Sequence, residues 1–441
     1  MALRPDSLSL AVTARSPTQC EPMSDRFSAT YLIETDIDLT KAAAVIAGEA
    51  STATFVKLTG ATAERIERMH AARVDSIAEL DASDRPSLPV TRPTKARFRR
   101  AEVTISWPLE NTGPSIPNIL AAVAGNLSEC REVTGLRLLD LDLPVALLGP
   151  YAGPQFGIKG TRELVGVQDR PLIGTIIKPS VGLTPAETAE LVEKLVQAGI
   201  DFMKDDELMA DPPHCPFAER VREVMAVIRR HADRTGRKPM FAFNITGEID
   251  EMLERHDIVV QEGGSCVMVS LNWVGTTGVG RLRRHATLPI HGHRNGWGFF
   301  SRCPALGFDF KAWHKIHRLG GADHIHINGL RNKFSETDES VIASARACLA
   351  PLFADHPDPL PVMPVFSSGQ TVRQAADTFA AIGTVDLIHA AGGGIMVHPG
   401  GIAAGVTALR QAWEAAVSGV PLVDFARSHK ELRQAMEKFA A

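Results

Sequence analysis

The chain reads as an α/β protein, a C-terminal (β/α)8 barrel preceded by a smaller α+β domain. Three observations predict this. From Pro171 onward a short apolar run, a polar turn and an amphipathic helix follow one another eight times, over the roughly 250 residues that such a barrel occupies. Between residues 25 and 150 that rhythm is absent, and strand-like alternation mixes with helical segments. The C-terminal ends of the eight apolar runs collect Lys, Asp, Glu, His, Ser and Gly, which is where barrel enzymes carry their chemistry. An open doubly wound sheet is the alternative, but no Gly-x-Gly-x-x-Gly motif opens one.

Residues 1–24 are rich in Ser and Pro and lack a sustained apolar core, so they read as a disordered tail and not a secretory signal, with Met23 as an alternative start. Residues 25–150 make the first domain. Phe27–Glu34 alternates as a strand, and the Asp-rich turn after it leads into an Ala-rich helix over Lys41–Gly48. A second helix is expected over Ala61–Val74. Phe98, Ala101, Val103, Ile105 and Trp107 mark a strand that Pro108 ends. A helix over Pro117–Val123 precedes Gly125-Asn126, and Leu136–Leu143 alternates as a half-buried strand. The Gly/Pro-rich stretch Gly149–Gly160 reads as the linker.

The barrel takes residues 151–441. Its strands are expected at Leu172–Lys178, Phe202–Asp205, Met240–Asn244, Cys266–Leu271, Leu288–His293, His324–Asn328, Val362–Ser368 and Leu387–Ala391. The first connecting helix has clear boundaries: Thr184 as N-cap, Pro185 in the first turn, Glu187 closing a capping box and Gly199 as stop.

Composition narrows the function classes. In 441 residues, 44% are hydrophobic and 22% charged, which suits a globular protein with a sizeable core. A formal net charge of −4 argues against a nucleic-acid or anionic-membrane surface. No run of 18 apolar residues exists to span a membrane. The six cysteines are far apart and form no Cys-x-x-Cys pair, which fits free thiols in a reducing cytoplasm.

The densest chemistry is Asp201-Phe-Met-Lys-Asp-Asp-Glu207. On a strand, Lys204 and Asp206 share a face, with Glu207 at the strand end. Grouped hard oxygen ligands suit Mg²⁺. The lysine fits a metal cluster only if its positive charge is removed or paired, and a solvated charge run is the plain alternative. Four histidines, His291 and His293 on one expected strand and His324 and His326 on another, stand beside Arg294, against the ordinary reading of a buried histidine as structural. Ser367-Ser368-Gly369 and Gly392-Gly393-Gly394 each end a strand before a helix, where free N–H groups favour an anion. A glycine triplet is otherwise only a tight turn.

In order and spacing, Gly174-Thr-Ile-Ile-Lys-Pro179, Asp201–Glu207, His291-Gly-His-Arg294, His324-Ile-His326, Lys333, Ser368-Gly369 and Gly392–Gly394 resemble the RuBisCO superfamily. The resemblance runs from Phe27 to the C-terminus. It implies a ferredoxin-like N-terminal domain and a TIM barrel. It implies that Lys204 takes up CO2 as a carbamate and, with Asp206 and Glu207, holds Mg²⁺. Lys178 resembles the base that acts on a carbon acid, while His293 and His326 resemble proton-transfer or orienting residues. Arg294, His326, Ser368 and Gly369 match one phosphate site and Gly392, Gly393 and Gly394 the other. Lys333 matches the lysine of the loop after the sixth barrel strand. Glu49, Thr54 and Asn126 match residues given to the neighbouring subunit's site, which implies a homodimer or an assembly of dimers.

The departures point away from CO2 fixation. Ser180 stands where the carboxylases carry a second lysine, Phe55 replaces a tryptophan, and Gln370 replaces a glycine. The loop Ile327–Glu336 diverges as well. The chain therefore resembles the RuBisCO-like proteins, and among them those that act on 3-oxo-isoapionate 4-phosphate in apiose breakdown, as decarboxylase or as transcarboxylase/hydrolase. The expected substrate is a phosphorylated keto sugar acid whose cleavage passes through an enediolate. A methionine-salvage enolase of the diketo-methylthiopentyl phosphate and a methylthioribulose phosphate isomerase are the enzymatic alternatives. A barrel kept only for binding or regulation is the alternative of another class.

Overall fold

The computed structural model describes residues 25–53, 59–90 and 97–440. The expected tail, Thr54 and Phe55 lie outside them. The chain runs through β1 (Arg26–Thr35), β2 (Arg73–Ser83), β3 (Phe98–Pro108) and β4 (Gly135–Asp142) in the first domain. It continues through β5 (Leu172–Ile176), β6 (Phe202–Lys204), β7 (Met240–Asn244), β8 (Cys266–Ser270) and β9 (Ile290–His293). A short β10 (Leu306–Phe308) follows, then β11 (His324–Asn328), β12 (Met363–Ser367) and β13 (Ile388–Ala390).

Alternation builds the first sheet. Phe27, Ala29, Tyr31 and Ile33 on β1 lie opposite Trp107, Ile105, Val103 and Ala101 on β3, all buried on one face. Phe27 and Trp107 stack with centroids 5.5 Å apart. The helices Leu39–Glu49 and Ile116–Ala124 cover this face with Ala42, Ala43, Ile46, Ile119 and Val123. The sheet order is β10-β4-β1-β3-β2.

Two elements differ from the sequence expectation. The helix from Ala61 stops at His70, and Val74 belongs to β2. That strand lies at the sheet edge with no fully buried residue, so it carries no clean apolar alternation. β10 was not expected at all; it lies in the barrel's half of the chain but pairs in parallel with β4, Leu306 opposite Leu136. Ala312, Ile316 and Leu319 from the same region complete the small domain's core. The expected linker is also shorter, because Gly157 opens the helix Gly157–Val165. Gly157 adopts φ +52°, and a Cβ there would meet the Pro361 carbonyl at 2.7 Å.

β11-β12-β13-β5-β6-β7-β8-β9 close into a parallel barrel, with Leu172 opposite Ile388 at the closure between β13 and β5. These strands are buried on both faces, which is why they read as short apolar runs. The helix Pro185–Gln197 carries the expected capping box between Thr184 and Glu187. Phe202, Met240, Met268, Met363 and Val365 fill the interior below the mouth. No helix among the described residues is long and apolar enough to cross a membrane. Cys130, Cys215, Cys266, Cys303 and Cys348 are free thiols.

Candidate active site

A cavity of about 1180 Å³ opens at the C-terminal ends of the barrel strands. Its wall brings together Lys178, Lys204, Glu207, His293, Arg294, His326, Lys333, Ser368, Gly369, Gly392 and Gly393. These residues span nearly half the sequence and meet because β5, β6, β9, β11, β12 and β13 deliver them to one end of the barrel.

Lys204, the last residue of β6, is fully buried. Its Nζ donates to the Asp205 carbonyl at 2.9 Å and lies 3.6 Å from Glu207 Oε2. Burial pushes its pKa down, Glu207 and Asp206 oppose that, and the Lys178 ammonium reinforces it. Asp206 is buried just behind the wall, where Lys178 Nζ donates to its Oδ2 at 2.6 Å. The same Nζ donates to Ser180 Oγ at 2.7 Å. Burial would raise the Glu207 carboxyl, but His293 and Lys204 beside it prevail and hold it low. Asp205 turns away, as strand alternation requires, and meets Arg220 Nη2 at 3.3 Å and the Asn244 amide at 2.9 Å.

The four histidines divide by depth. His293 and His326 reach the cavity with ring centroids 4.2 Å apart. His293 Nδ1 lies 3.2 Å from both the backbone amide and the Oδ1 of Asn295, and its Nε2 is 3.5 Å from Glu207 Oε2. His326 Nε2 is 2.7 Å from Ser367 Oγ. Burial lowers both pKa values, and the charge of Lys204 adds to it, so both rings are neutral near pH 7. His291 and His324 lie one layer below, against Phe202. There His324 pairs with Thr161 Oγ at 2.7 Å, and neither ring nitrogen of His291 has a partner.

The two anion ends differ. Gly392 and Gly393 line the wall at the start of the helix Gly392–Met396, with open backbone on the cavity side. Gly394 packs behind them, where a Cβ would come 2.5 Å from the Gln370 carbonyl. At the opposite end Arg294 packs against Trp297 and Phe310 and binds Glu336 through Nη2. Ser368 has φ +68° and Gly369 φ +88°, a left-handed pair that lets the Lys333 amide reach the Ser368 carbonyl at 3.1 Å.

Sequence reasoning placed Ser367 in the Ser367-Ser368-Gly369 anion motif but did not single out Glu336 or Asn328 as site residues. Only the buried pattern of β11 hinted at Asn328. Gln370 is buried, and its Nε2 donates to the Leu330 carbonyl, which ties the sixth loop down. Glu49 and Asn126 are exposed on the small domain and do not join the cavity within one chain.

The profile described as the ribulose bisphosphate carboxylase large chain, N-terminal domain, matches residues 18–147, and that of its catalytic domain matches residues 157–439. The chain is 57% identical over 414 residues to the 3-oxo-isoapionate-4-phosphate transcarboxylase/hydrolase of Xanthobacter autotrophicus, covering 94% of this chain and 99% of that protein. It is 44% identical over 413 residues to the 3-oxo-isoapionate-4-phosphate decarboxylase of Rhizobium rhizogenes, covering 93% and 98%. The crystal structure of a rubisco-like protein from Burkholderia fungorum superposes with a TM-score of 0.88 at 47% identity, covering 94% of this chain and all of that one. With both halves of the chain matched in this way, it belongs to the ribulose bisphosphate carboxylase large-chain family and is a RuBisCO-like enzyme.

Proposed function

We propose that this enzyme cleaves a C–C bond of 3-oxo-isoapionate 4-phosphate in apiose catabolism, as a transcarboxylase/hydrolase. The observation that carries this is the joining, in one cavity, of the Lys178–Lys204–Asp206–Glu207 cluster with one open glycine-lined end and one closed end. The identity to the Xanthobacter relative, higher than that to the decarboxylase, supports the reaction type.

The donor set fits Mg²⁺ with Lys204 as a carbamate. In the chain as it stands, two ammonium groups lie against Asp206 and Glu207, the place a cation of higher charge would take. Lys204 Nζ is buried with a single hydrogen bond, and its lowered pKa favours the neutral amine that reacts with CO2. When bound, the ion supplies Lewis-acid stabilisation of oxygen charge.

The chain's own groups do the rest. Gly392 and Gly393 receive the phosphate through backbone N–H groups, with Gly394 packed behind them. The carboxyl-bearing carbon faces Lys333. When its bond to the adjacent carbon breaks, the electron pair passes to the neighbouring carbonyl oxygen and leaves CO2 and an enediolate. The former carbonyl carbon takes up that CO2 while the adjacent carbon becomes the ketone. Water added to this ketone lets the bond between the two carbons break, giving one acid from the ketone and leaving the electron pair on the newly carboxylated carbon. Lys178 Nζ, steered by Asp206 and Ser180, holds the proton that this carbon then takes. Neutral His293 and His326 orient the hydroxyl groups. The reading includes a cytoplasmic homodimer with domains at 25–150 and 151–441, in which Glu49, Thr54 and Asn126 complete the partner's cavity.

The test is a product assay with substrate labelled at the carboxyl carbon, followed by NMR. Label retained in an organic product supports the proposal. Label released as CO2 identifies a decarboxylase, and turnover of the diketo-methylthiopentyl phosphate alone would overturn the assignment.

A further inference from the structure

Glu336 lies in the loop after β11, yet its carboxylate is 11% exposed and points into the far end of the cavity. It accepts from Arg294 Nη2, from Asn328 Nδ2 at 2.6 Å and from Ser340 Oγ at 2.9 Å. Its backbone carbonyl accepts from Asn332 Nδ2 at 3.0 Å, which fixes the residue from both sides. Ser368 Oγ gives its proton to Asn328 Oδ1 at 2.7 Å, and Asn328 turns its own N–H groups to Glu336. The donors at this end are therefore aimed at a carboxylate that the chain itself provides. Arg294 Nη1 is buried and has no hydrogen-bond partner among the described residues.

We infer that Glu336 is a specificity-determining residue that closes the second anion end of the cavity, so that the enzyme accepts sugar acids with one phosphate and rejects bisphosphates. A phosphate dianion brought to Arg294 would face the Glu336 carboxylate in a site with little water to screen them. A neutral hydroxymethyl group meets no such repulsion. The phosphate is thereby directed to the glycine end, which fixes the direction in which the substrate lies between Lys178 and Lys333. This inference rests on the reading of Gly392–Gly394 as the phosphate end under Proposed function.

The experiment is calorimetric titration of the Mg²⁺- and bicarbonate-loaded enzyme with a pentulose 1,5-bisphosphate and with the matching 1-phosphate. Neither probe is the proposed substrate, so the outcome is independent of the product assay. In the native enzyme the bisphosphate should bind no more than about threefold tighter than the monophosphate. In Glu336→Gln, which keeps shape and removes charge, the bisphosphate should gain about tenfold while the monophosphate stays within about threefold. Arg294→Met placed on Glu336→Gln should remove that gain. A native enzyme that already prefers the bisphosphate tenfold, or an unchanged ratio in a Glu336→Gln protein with native thermal unfolding, would overturn the inference.

Discussion

Replacing Lys204 by Met separates a structural lysine from a latent metal ligand. In the chain as it stands, Lys204 Nζ lies 3.6 Å from Glu207 Oε2. At an effective dielectric near 20 that attraction is about 5 kcal/mol. It must be discounted, because the Glu207 side chain is 33% exposed to water. Against it stands the cost of burying an ammonium group, several kcal/mol as well. The two nearly cancel, so a Met of similar volume should change the unfolding free energy by less than about 2 kcal/mol.

Ligand linkage behaves differently. A ligand that binds only the folded protein at a hundredfold excess over its Kd adds about 2.7 kcal/mol. The native enzyme should therefore unfold at higher temperature when Mg²⁺ and bicarbonate are added together, and Lys204→Met should not. Turnover should fall by more than about a thousandfold, because the carbamate oxygen is lost from the ligand set. Scanning calorimetry with and without the two additives reads the first effect, and the labelled product assay reads the second. An equal rise in the Met variant, or full activity of the native enzyme in CO2-free buffer, would refute the carbamate reading.

Three further outcomes are expected. Arg220→Met leaves the Asp205 carboxylate buried with only the Asn244 amide, so urea unfolding should show a loss of about 3–5 kcal/mol; a loss below 1 would mean that Asp205 takes a proton instead. Burial pushes His314, His317 and His389 down to about 3 from 6.5, so the unfolded chain binds more protons between those limits. The resulting penalty is absent above pH 6.5 and grows as pH falls, and His317→Gln should reduce the slope of stability against pH by about 1.4 kcal/mol per unit; superimposable urea curves between pH 4 and 6.5 would contradict it. Mixing and re-associating Asn126→Ala with Lys178→Ala should restore about a quarter of native sites through hybrid dimers, and folded mixtures as inactive as their parents would exclude a shared site.

The barrel was legible because parallel strands buried on both faces become short apolar runs, and their C-terminal ends are chemically marked. β2 was not, since an exposed edge strand carries no alternation, and β10 exists only because β4 offers it an edge. The histidines show a finer limit. Residues at i and i+2 share a face, but the sequence does not say how deep in the barrel each one lies; His293 and His326 reach the cavity while His291 and His324 support its floor. Glu336 was hidden for another reason. It sits in a polar loop, and the arginine that gives it meaning is 42 residues away.

Charge balance links Ser180 to the closed end of the cavity. In the chain as it stands, Lys178 and Lys204 balance Asp206 and Glu207. On the proposed function, carbamylation would turn Lys204 from positive to negative, and a divalent ion would then restore neutrality with Lys178 still protonated. A second lysine in place of Ser180 would leave that assembly with a surplus positive charge, suited to holding a carboxylate as it forms. This cavity instead offers a hydroxyl, which accepts from Lys178 at 2.7 Å and adds no charge. Glu336 neutralises Arg294 at the far end in the same sense. Relative to a lysine at position 180 and to an unpaired Arg294, Ser180 and Glu336 each lower the positive charge facing the substrate by one unit. A substrate that arrives with its own carboxylate and a single phosphate needs less stabilisation of new negative charge than one that must gain a carboxyl group between two phosphates. On the proposed function, these charges would favour breaking a carbon–carbon bond of a keto acid over carboxylating a bisphosphate.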